Sequence, residues 1–358
     1  MVPKLAVIGG GKFGVMHLRA FTQLQSEGKA ELVGLADVNA DVLKARADEF
    51  GVRTYSNHIE MIEKEKPDGV GIVTPDFLHK QLSIDCLERG VHVLVEKPLD
   101  TTIEGCRAMD ETARKNGLLM QVDFHKRYDP YHKEMEKSVR KGNIGNVLYG
   151  YAWMEDRIEV PRDWFPHWAP KSSPGWFLGV HFFDLIYWTI KSWPKRVFAS
   201  GCKDKLKSLG IDAYDSISTS VVFENGAHFA VQNSWILPDG FEAVVNQGIR
   251  VVGSEGIIEI DSQDRGGRAC YSKDGMMTYN LGFFAETKNK KGETVFSGYG
   301  IESIQDFAYN LDYLINGGKL EDLEGTYAGA RDGLAATSIG VAAHESLATG
   351  KAIEIEPA

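Results

Sequence analysis

The apolar residues in the first part of the chain form short runs, separated by segments whose apolar residues lie three or four positions apart. The runs occupy residues 4–8, 32–36, 70–73, 91–95 and 118–124. Runs of this length are typical of buried parallel strands, and the spacing between them is typical of amphipathic helices. Strands that alternate with helices predict a doubly wound parallel sheet, which binds ligands at the carboxyl ends of its strands.

The rest of the chain has a different pattern. A strand-like segment covers residues 147–154, and two pairs of apolar segments flank the turns at 224–226 and 254–256. Such pairs predict β-hairpins, and therefore an antiparallel sheet with one covered face. We expect an α/β domain over residues 1–124 and an α+β domain over residues 125–358. The last helix, near 330–348, has a broad apolar stripe and is expected to pack back on the first domain.

Composition and charge narrow the function classes. The formal net charge is −10 with no basic block, so neither nucleic acid nor an anionic membrane is expected as a partner. No apolar run approaches the ~18 residues that span a bilayer, and the first strand begins too early for a signal peptide. Four widely spaced cysteines predict neither a disulfide framework nor a metal site, and a reducing cytoplasm fits them.

The first predicted strand runs into a glycine-rich turn and then a helix. The turn carries Gly9, Gly11 and Gly14 in GxGxxG spacing, with Lys12 and Phe13 before the last glycine. In this context the glycines permit a tight turn, a close approach of the backbone to a pyrophosphate, and close packing of helix on strand. The helix N-terminus offers free N–H groups to the phosphates. We interpret the turn as a dinucleotide site, with an ordinary glycine-rich turn as the alternative.

An acidic residue, Asp37, ends the second predicted strand. A carboxylate at this position accepts hydrogen bonds from the adenosine ribose and repels a 2′-phosphate. The next residues, Val38 and Asn39, offer no cation. The sequence therefore predicts NAD rather than NADP as the cofactor; a solvated loop aspartate is the alternative.

Further motifs lie along the whole chain, among them Glu96-Lys97-Pro98 directly after a strand and Gly179-Val180-His181-Phe182-Phe183-Asp184. Together with segments 6–11, 72–75, 126–130 and 350–355, they resemble the Gfo/Idh/MocA family of glucose–fructose oxidoreductase, inositol dehydrogenase and rhizopine-catabolism proteins. The resemblance implies an N-terminal Rossmann domain and a C-terminal domain with a large open, mainly antiparallel sheet. It also implies a homo-oligomer, a dimer or tetramer, that forms through this sheet.

The resemblance also implies roles for individual residues. Thr74, Pro75, His79, Glu96 and Lys97 join the glycine turn among the expected cofactor-binding residues.

Lys97 is expected to hydrogen-bond the reacting hydroxyl and to stabilise negative charge as its proton leaves. His181, from the second domain, is expected to act as general acid or base. Asp184 shares its helical face and is expected to orient the imidazole or hold a substrate hydroxyl.

Two positions depart from the family pattern. Many polyol dehydrogenases of the family have an aspartate four residues before the histidine, where this chain has Phe177. His125 stands where the family often has asparagine. We expect His125 and Arg127 to be weaker substrate-binding candidates, and a histidine bonded to nearby backbone is the alternative for His125.

All seven tryptophans lie in the second domain, and four of them fall between Trp153 and Trp176 in a stretch broken by prolines. Such spacing predicts a loop with aromatic side chains near the crevice. Aromatic faces pack against the C–H face of a sugar ring, so Trp153 and Trp176 are candidates for contacting a ring substrate. Burial of a long loop or an oligomer contact is the alternative.

The motifs together favour an NAD-dependent dehydrogenase that acts on a secondary hydroxyl of a sugar, polyol or glycoside. One alternative is an enzyme that keeps NAD bound and recycles it, with net elimination, hydrolysis or transfer. The other is a non-catalytic, dinucleotide-sensing regulator.

Overall fold

The computed structural model describes residues 1–273 and 275–357, which form two compact units. Unit 1 consists of Met1–Asp129 and Gly282–Leu334, and unit 2 of Pro130–Leu281 together with the residues from Ala335 onward. In the described ranges, no helix is both long and apolar enough to cross a bilayer.

Unit 1 is built around a parallel sheet. Its first elements are β1 (Lys4–Ile8), α1 (Gly14–Ser26), β2 (Glu31–Ala36), α2 (Ala40–Phe50), β3 (Thr54–Tyr55), α3 (His58–Glu65), β4 (Gly69–Ile72), α4 (His79–Leu87), β5 (His92–Glu96), α5 (Ile103–Asn116) and β6 (Met120–Asp123). The six strands are parallel in the order β3-β2-β1-β4-β5-β6. The predicted Rossmann architecture is confirmed.

Unit 2 contains the larger sheet. Its elements up to residue 281 are α6 (Pro130–Arg140), β7 (Val147–Arg157), α7 (Val180–Ile190), β8 (Pro194–Cys202), α8 (Lys205–Ser208), β9 (Ser216–Phe223), β10 (His228–Leu237), β11 (Val245–Gly253), β12 (Ile257–Asp261), β13 (Arg268–Tyr271) and β14 (Gly275–Thr278). The final elements of the chain are β15 (Ala285–Lys288), β16 (Thr294–Ser297), α9 (Tyr299–Ile315), α10 (Ala330–Thr349) and β17 (Ile353–Glu354).

The sheet of unit 2 has seven strands in the order β12-β11-β7-β10-β9-β8-β17. Both predicted hairpins, β9–β10 and β11–β12, are present and antiparallel. The pair β7–β10 is parallel, so the sheet is mixed. Along β7 the buried residues alternate with more exposed ones, as a sheet with one covered face requires. The predicted mainly antiparallel open sheet is confirmed.

The expected domain boundary needs one correction. Residues 282–334 belong to unit 1, although the sequence analysis assigned them to the second domain. The cause is α9, whose apolar face completes the core of unit 1. Phe307 and Leu311 are fully buried, and a side chain at Gly69 on β4 would overlap both of them.

The last helix, α10, is divided between the two units. Its first residues are part of unit 1, where Gly333 lies so close to Leu99 that a side chain would overlap it. From Ala335 onward it is part of unit 2, where Gly340 packs on Trp176. The first turn of this helix therefore belongs to the first unit, and the expected packing of the remaining turns on the first domain stays a prediction.

Candidate functional site

The glycine turn of unit 1 is shaped by close backbone approaches. Gly9 has φ +99°, and a Cβ there would overlap the carbonyl oxygen of Val73. A Cβ at Gly14 would overlap the carbonyl oxygen of Gly9, so only glycine lets α1 begin this close to β1. Gly11 differs, because no described atom lies within 4 Å of its ideal Cβ position. The open space at Gly11 is where the backbone can approach a ligand.

Asp37 follows β2 at the same edge of the sheet. Its carboxylate accepts a hydrogen bond from the backbone N–H of Gly10 at 2.7 Å and another from Asn39 at 2.8 Å. These two donors fix the carboxylate beside the glycine turn, and the side chain remains half-buried. A fixed negative charge at this position repels a 2′-phosphate and is available to ribose hydroxyls.

Lys97 follows β5 and reaches toward the glycine turn. It is 8% exposed, and its Nζ lies 6.0 Å from the centre of the Phe13 ring. Phe13 and Lys12 are themselves exposed at the start of α1. Of the predicted residues, the structure thus brings together the glycine turn, Phe13 and Lys97.

The loop after β4 carries the next group of predicted residues. Thr74 is half-buried and Pro75 is exposed. The hydroxyl oxygen of Thr74 is buried and has no hydrogen-bond partner within the described residues. His79 is 1% exposed, with Nδ1 2.7 Å from the carbonyl oxygen of Pro98 and Nε2 3.0 Å from that of Thr74. His79 thus connects the loops after β4 and β5. The hydroxyl of Thr74 is available to contact a ligand.

Sequence reasoning missed two residues that contact Glu96. His17 on α1 places Nε2 3.3 Å from Oε1 of Glu96 and 3.7 Å from Oδ2 of Asp123. Glu96 and Asp123 are direct neighbours across β5 and β6. The sequence held part of this signal, because Glu96 directly follows one predicted strand (91–95) and Asp123 lies near the end of the next (118–124). The histidine gave no such signal, since one histidine in an apolar helix is usual in a core.

The two carboxyl groups differ in their electrostatics. Burial raises the pKa of Asp123 well above its usual range, and the negative charge of Glu96 raises it further. For Glu96, burial acts in the same direction, but the hydrogen bond and charge of His17 and the ammonium of Lys97 outweigh it, so its pKa is lowered. The pKa values of the two acids therefore move apart, so that the proton is favoured on Asp123 and the negative charge on Glu96.

The turn after β6 holds the two weaker substrate candidates. His125 is half-buried against the rings of Phe283 and Tyr299, with centroid distances of 5.2 and 5.8 Å. Arg127 is 8% exposed and pairs with Asp332 on α10 at 2.7 Å. Both residues therefore have partners within unit 1, and a substrate role for either stays a prediction.

In unit 2, α7 carries His181 and Asp184 in its first two turns. They are 4% and 0% exposed, in a helix that is buried along almost its entire length. Their separation of three residues places them on one helical face.

Phe177, at the position where the resemblance implies an aspartate, lies in an aromatic cluster. Its ring is 6.0 Å from Phe165, 5.2 Å from Trp168 and 6.0 Å from Trp235, measured between centroids. The side chain thus fills an apolar cluster and supplies no carboxylate to the neighbouring helix.

The two tryptophans proposed to contact the substrate have different surroundings. Trp176 is 8% exposed, and its ring stacks on His344 with centroids 5.0 Å apart and planes 8° apart. Trp153 lies on β7 and stacks on Tyr151. It points away from the face of Ala152 and Met154, which is buried and covered by α7. Contacts of Trp153 and Trp176 with a substrate stay predictions.

The residues of unit 1 fit a bound dinucleotide. The open space at Gly11, the fixed carboxylate of Asp37 and the buried Thr74 hydroxyl all lie in loops that follow neighbouring strands. When bound there, a nicotinamide dinucleotide supplies a hydride acceptor or donor. His17, Glu96 and Asp123 are also close enough to hold a metal ion, with ligand atoms within 4.8 Å of one another.

Comparison with known proteins gives two family matches. Residues 4–124 match an oxidoreductase family with an NAD-binding Rossmann fold, described as Gfo/Idh/MocA. Residues 132–259 match the C-terminal domain of the same family.

Individual relatives are consistent with these matches. The chain is 28% identical over 267 residues to scyllo-inositol 2-dehydrogenase (NAD(+)) of Bacillus subtilis strain 168, covering 72% of this chain and 73% of that protein. It is 26% identical over 194 residues to glucose-6-phosphate 3-dehydrogenase of the same organism, covering 53% and 54%. Its fold resembles the crystal structure of myo-inositol 2-dehydrogenase from Lactobacillus plantarum, with a TM-score of 0.79, 21% identity, and 99% and 100% of the two chains covered.

Proposed function

Because the chain belongs to the Gfo/Idh/MocA family of oxidoreductases, we propose that it is an NAD-dependent dehydrogenase acting on a secondary hydroxyl of a sugar, polyol or glycoside. In the oxidation direction a hydride leaves the carbon that bears the hydroxyl and reaches the nicotinamide, and the hydroxyl proton passes to a protein base. The reverse reaction reduces a ketone. The names of the relatives, inositol and sugar-phosphate dehydrogenases, support this class of reaction.

The observation that carries the proposal is the set of groups at one edge of the parallel sheet. Asp37 follows β2, the glycine turn follows β1, and Lys97 follows β5 with its ammonium near Phe13. A binding turn for NAD and a buried cation near it are the two parts that a hydride-transfer site needs in this domain.

In this proposal Lys97 donates a hydrogen bond to the reacting oxygen and stabilises its developing negative charge. His181 takes or returns the hydroxyl proton, a task that suits a group with an ordinary pKa near neutrality. Asp184 orients the imidazole or holds a further hydroxyl. Glu96, the residue before Lys97, helps to hold the lysine in this position.

The substrate is proposed to be a ring compound. Phe177 leaves the helix without the carboxylate found in many polyol dehydrogenases of the family, which favours a sugar or sugar derivative over an inositol. A contact between Trp176 and the substrate stays a prediction. If Trp176 makes this contact, the Trp176→Ala substitution raises the KM for the substrate more than the KM for NAD. A homo-oligomer formed through the open sheet and a cytoplasmic location also stay predictions.

The test is a screen of purified protein with NAD against inositols, aldoses, sugar phosphates and glycosides, monitored by NADH absorbance. Net NADH formation with a ring substrate supports the proposal. Open-chain hydroxy acids as the best substrates would contradict the ring assignment. Turnover without net NADH, together with NAD that copurifies, would instead identify the recycling enzyme. NAD binding with no turnover of any substrate would identify the regulator.

A further inference from the structure

A largely buried group of three side chains includes Glu96, the residue that precedes Lys97. His17 comes from α1, Glu96 from the end of β5 and Asp123 from the end of β6. His17 is 0% exposed and Asp123 is 3% exposed. Nε2 of His17 lies 3.3 Å from Glu96 and 3.7 Å from Asp123, and one polar atom of each of the three side chains lies within 4.8 Å of the other two.

The orientation of the imidazole follows from its surroundings. Nδ1 of His17 is buried without a hydrogen-bond partner in the described part of the chain, and it faces Gly71, where a Cβ would overlap it. Nε2 faces the carboxyl groups. We therefore place an N–H at Nε2, because only this ring nitrogen has an acceptor in the described part of the chain.

The charge state follows from the closeness of the two acids. Two carboxylates in one buried site cannot both be ionised without a large cost. His17 and Lys97 favour the charged form of Glu96, whereas burial favours the neutral form of Asp123, so the pKa values of the two acids move apart.

Other charged groups surround the cluster. The charge of His125, after β6, lowers the pKa of Glu96. The charge of Asp306 on α9 raises the pKa of Asp123, and Asp306 accepts a hydrogen bond from the hydroxyl of Tyr128 at 2.7 Å. The negative charge of Asp306 reinforces the neutral state of Asp123.

We propose that His17 and Asp123 are positioning residues that act through Glu96 to hold Lys97, with one proton kept on Asp123 and one negative charge on Glu96. Glu96 precedes Lys97 and accepts a hydrogen bond from its backbone N–H at 3.3 Å. A single fixed negative charge next to Lys97 orients the lysine and stabilises its buried ammonium form. The proposal rests on the proposed role of Lys97, and its test includes measurements that do not need a substrate.

The test compares two matched acid-to-amide substitutions. Asp123→Asn replaces a neutral acid with a neutral amide of the same shape, so kcat is expected to stay within about threefold of the unmodified enzyme. Glu96→Gln removes the charge. It is expected to lower kcat by about 100-fold through misplacement of Lys97, a larger factor than any rise in the Kd for NADH, to which Glu96 is an expected contributor. The kcat–pH profile of Glu96→Gln should also move to lower pH, because the ammonium form of Lys97 loses the favourable charge of Glu96.

A second measurement uses the protein without substrate or NAD. Unfolded Asp123 releases its proton near the ordinary carboxyl pKa, whereas folded Asp123 keeps it. The free energy of unfolding of the unmodified protein therefore falls as pH rises from that value toward the raised pKa. Asp123→Asn should lack this fall, and denaturant titrations across pH measure the difference. This result decides the charge assignment even if no substrate is turned over.

His17 provides a further pair of variants. Gln can present an amide N–H near the position of Nε2, so His17→Gln is expected to preserve kcat better than His17→Leu, which cannot donate. The proposal is overturned if Asp123→Asn loses as much activity as Glu96→Gln or if its stability has the same pH dependence as the unmodified protein. One divalent metal ion per chain, found by elemental analysis and lost in Asp123→Asn, would overturn it as well.

Discussion

The sheet edge of unit 1 and the α7 region of unit 2 carry the two halves of the proposed chemistry, and they are built in different ways. In unit 1, Asp37, the glycine turn, Thr74 and Lys97 each follow a strand of one parallel sheet. In unit 2, His181 and Asp184 lie inside a buried helix. The first set is positioned by backbone topology, and the second by side-chain packing.

This difference determines how each region should respond to substitution. The more exposed residues of the sheet edge, such as Gly11 and Asp37, can be changed without opening the core, so their functional effects can be separated from stability. Lys97 is buried, so its variants also need a stability measurement. A residue in a buried helix affects packing as well as chemistry. Variants of the two regions therefore need different controls.

The largest effect is expected for Lys97→Met. Loss of the ammonium removes the group that stabilises negative charge on the substrate oxygen, so kcat should fall by about 100- to 1000-fold. The Kd for NADH, measured by fluorescence, should be nearly unchanged. Lys64→Met, at an exposed lysine on α3 that pairs with Glu60, controls for the loss of a lysine charge elsewhere on the protein. Because Lys97 is buried, the free energy of unfolding of Lys97→Met is measured as well. Full activity of Lys97→Met would remove the lysine from the proposed mechanism.

A smaller loss is expected for His181→Ala, about 100-fold in kcat, together with a changed pH profile. Because His181 is buried, the free energy of unfolding must be measured in parallel. A variant that is destabilised but keeps its kcat and pH profile would show that the histidine is structural. Asp184→Asn should also reduce activity, and an unchanged rate would mean that Asp184 serves packing alone.

Two glycine variants separate ligand approach from folding within unit 1. Gly11→Ala adds a methyl group to open space, so stability should change by less than about 0.5 kcal/mol while NAD binding weakens. Gly14→Ala places a methyl group on the carbonyl oxygen of Gly9 and should destabilise the protein by about 1–3 kcal/mol. Denaturant unfolding and NADH titration distinguish the two. Equal destabilisation by both variants would contradict the open space at Gly11.

The smallest effect is expected at Asp37. Asp37→Ser removes a carboxylate held by two backbone N–H groups, and with it the repulsion of a 2′-phosphate. The ratio of kcat/KM with NAD to kcat/KM with NADP should therefore become smaller. Equal efficiency with both cofactors in the unmodified enzyme would contradict the role assigned to Asp37.

Several features of this protein followed from the sequence alone. Short apolar runs alternating with helical spacing predicted the parallel sheet, since buried parallel strands have few polar positions. The glycine spacing predicted the turn, because only glycine tolerates the backbone contacts at Gly9 and Gly14. Asp37 was found because it ends a predicted strand at the edge of the sheet where ligands bind. Lys97 was found because Glu96-Lys97-Pro98 resembles a motif of the family.

The tertiary structure decided the rest, because it depends on contacts between residues far apart in the chain. The place of α9 in unit 1 required knowing that Phe307 and Leu311 pack on Gly69. The face of the sheet to which Trp153 points depends on where α7 packs, and the aromatic cluster around Phe177 joins three separate segments. His17 reaches Glu96 and Asp123 only because α1 packs against the parallel sheet. Sequence spacing fixes periodicity and local turns, but the partners of a buried polar side chain are determined by the packing of whole elements.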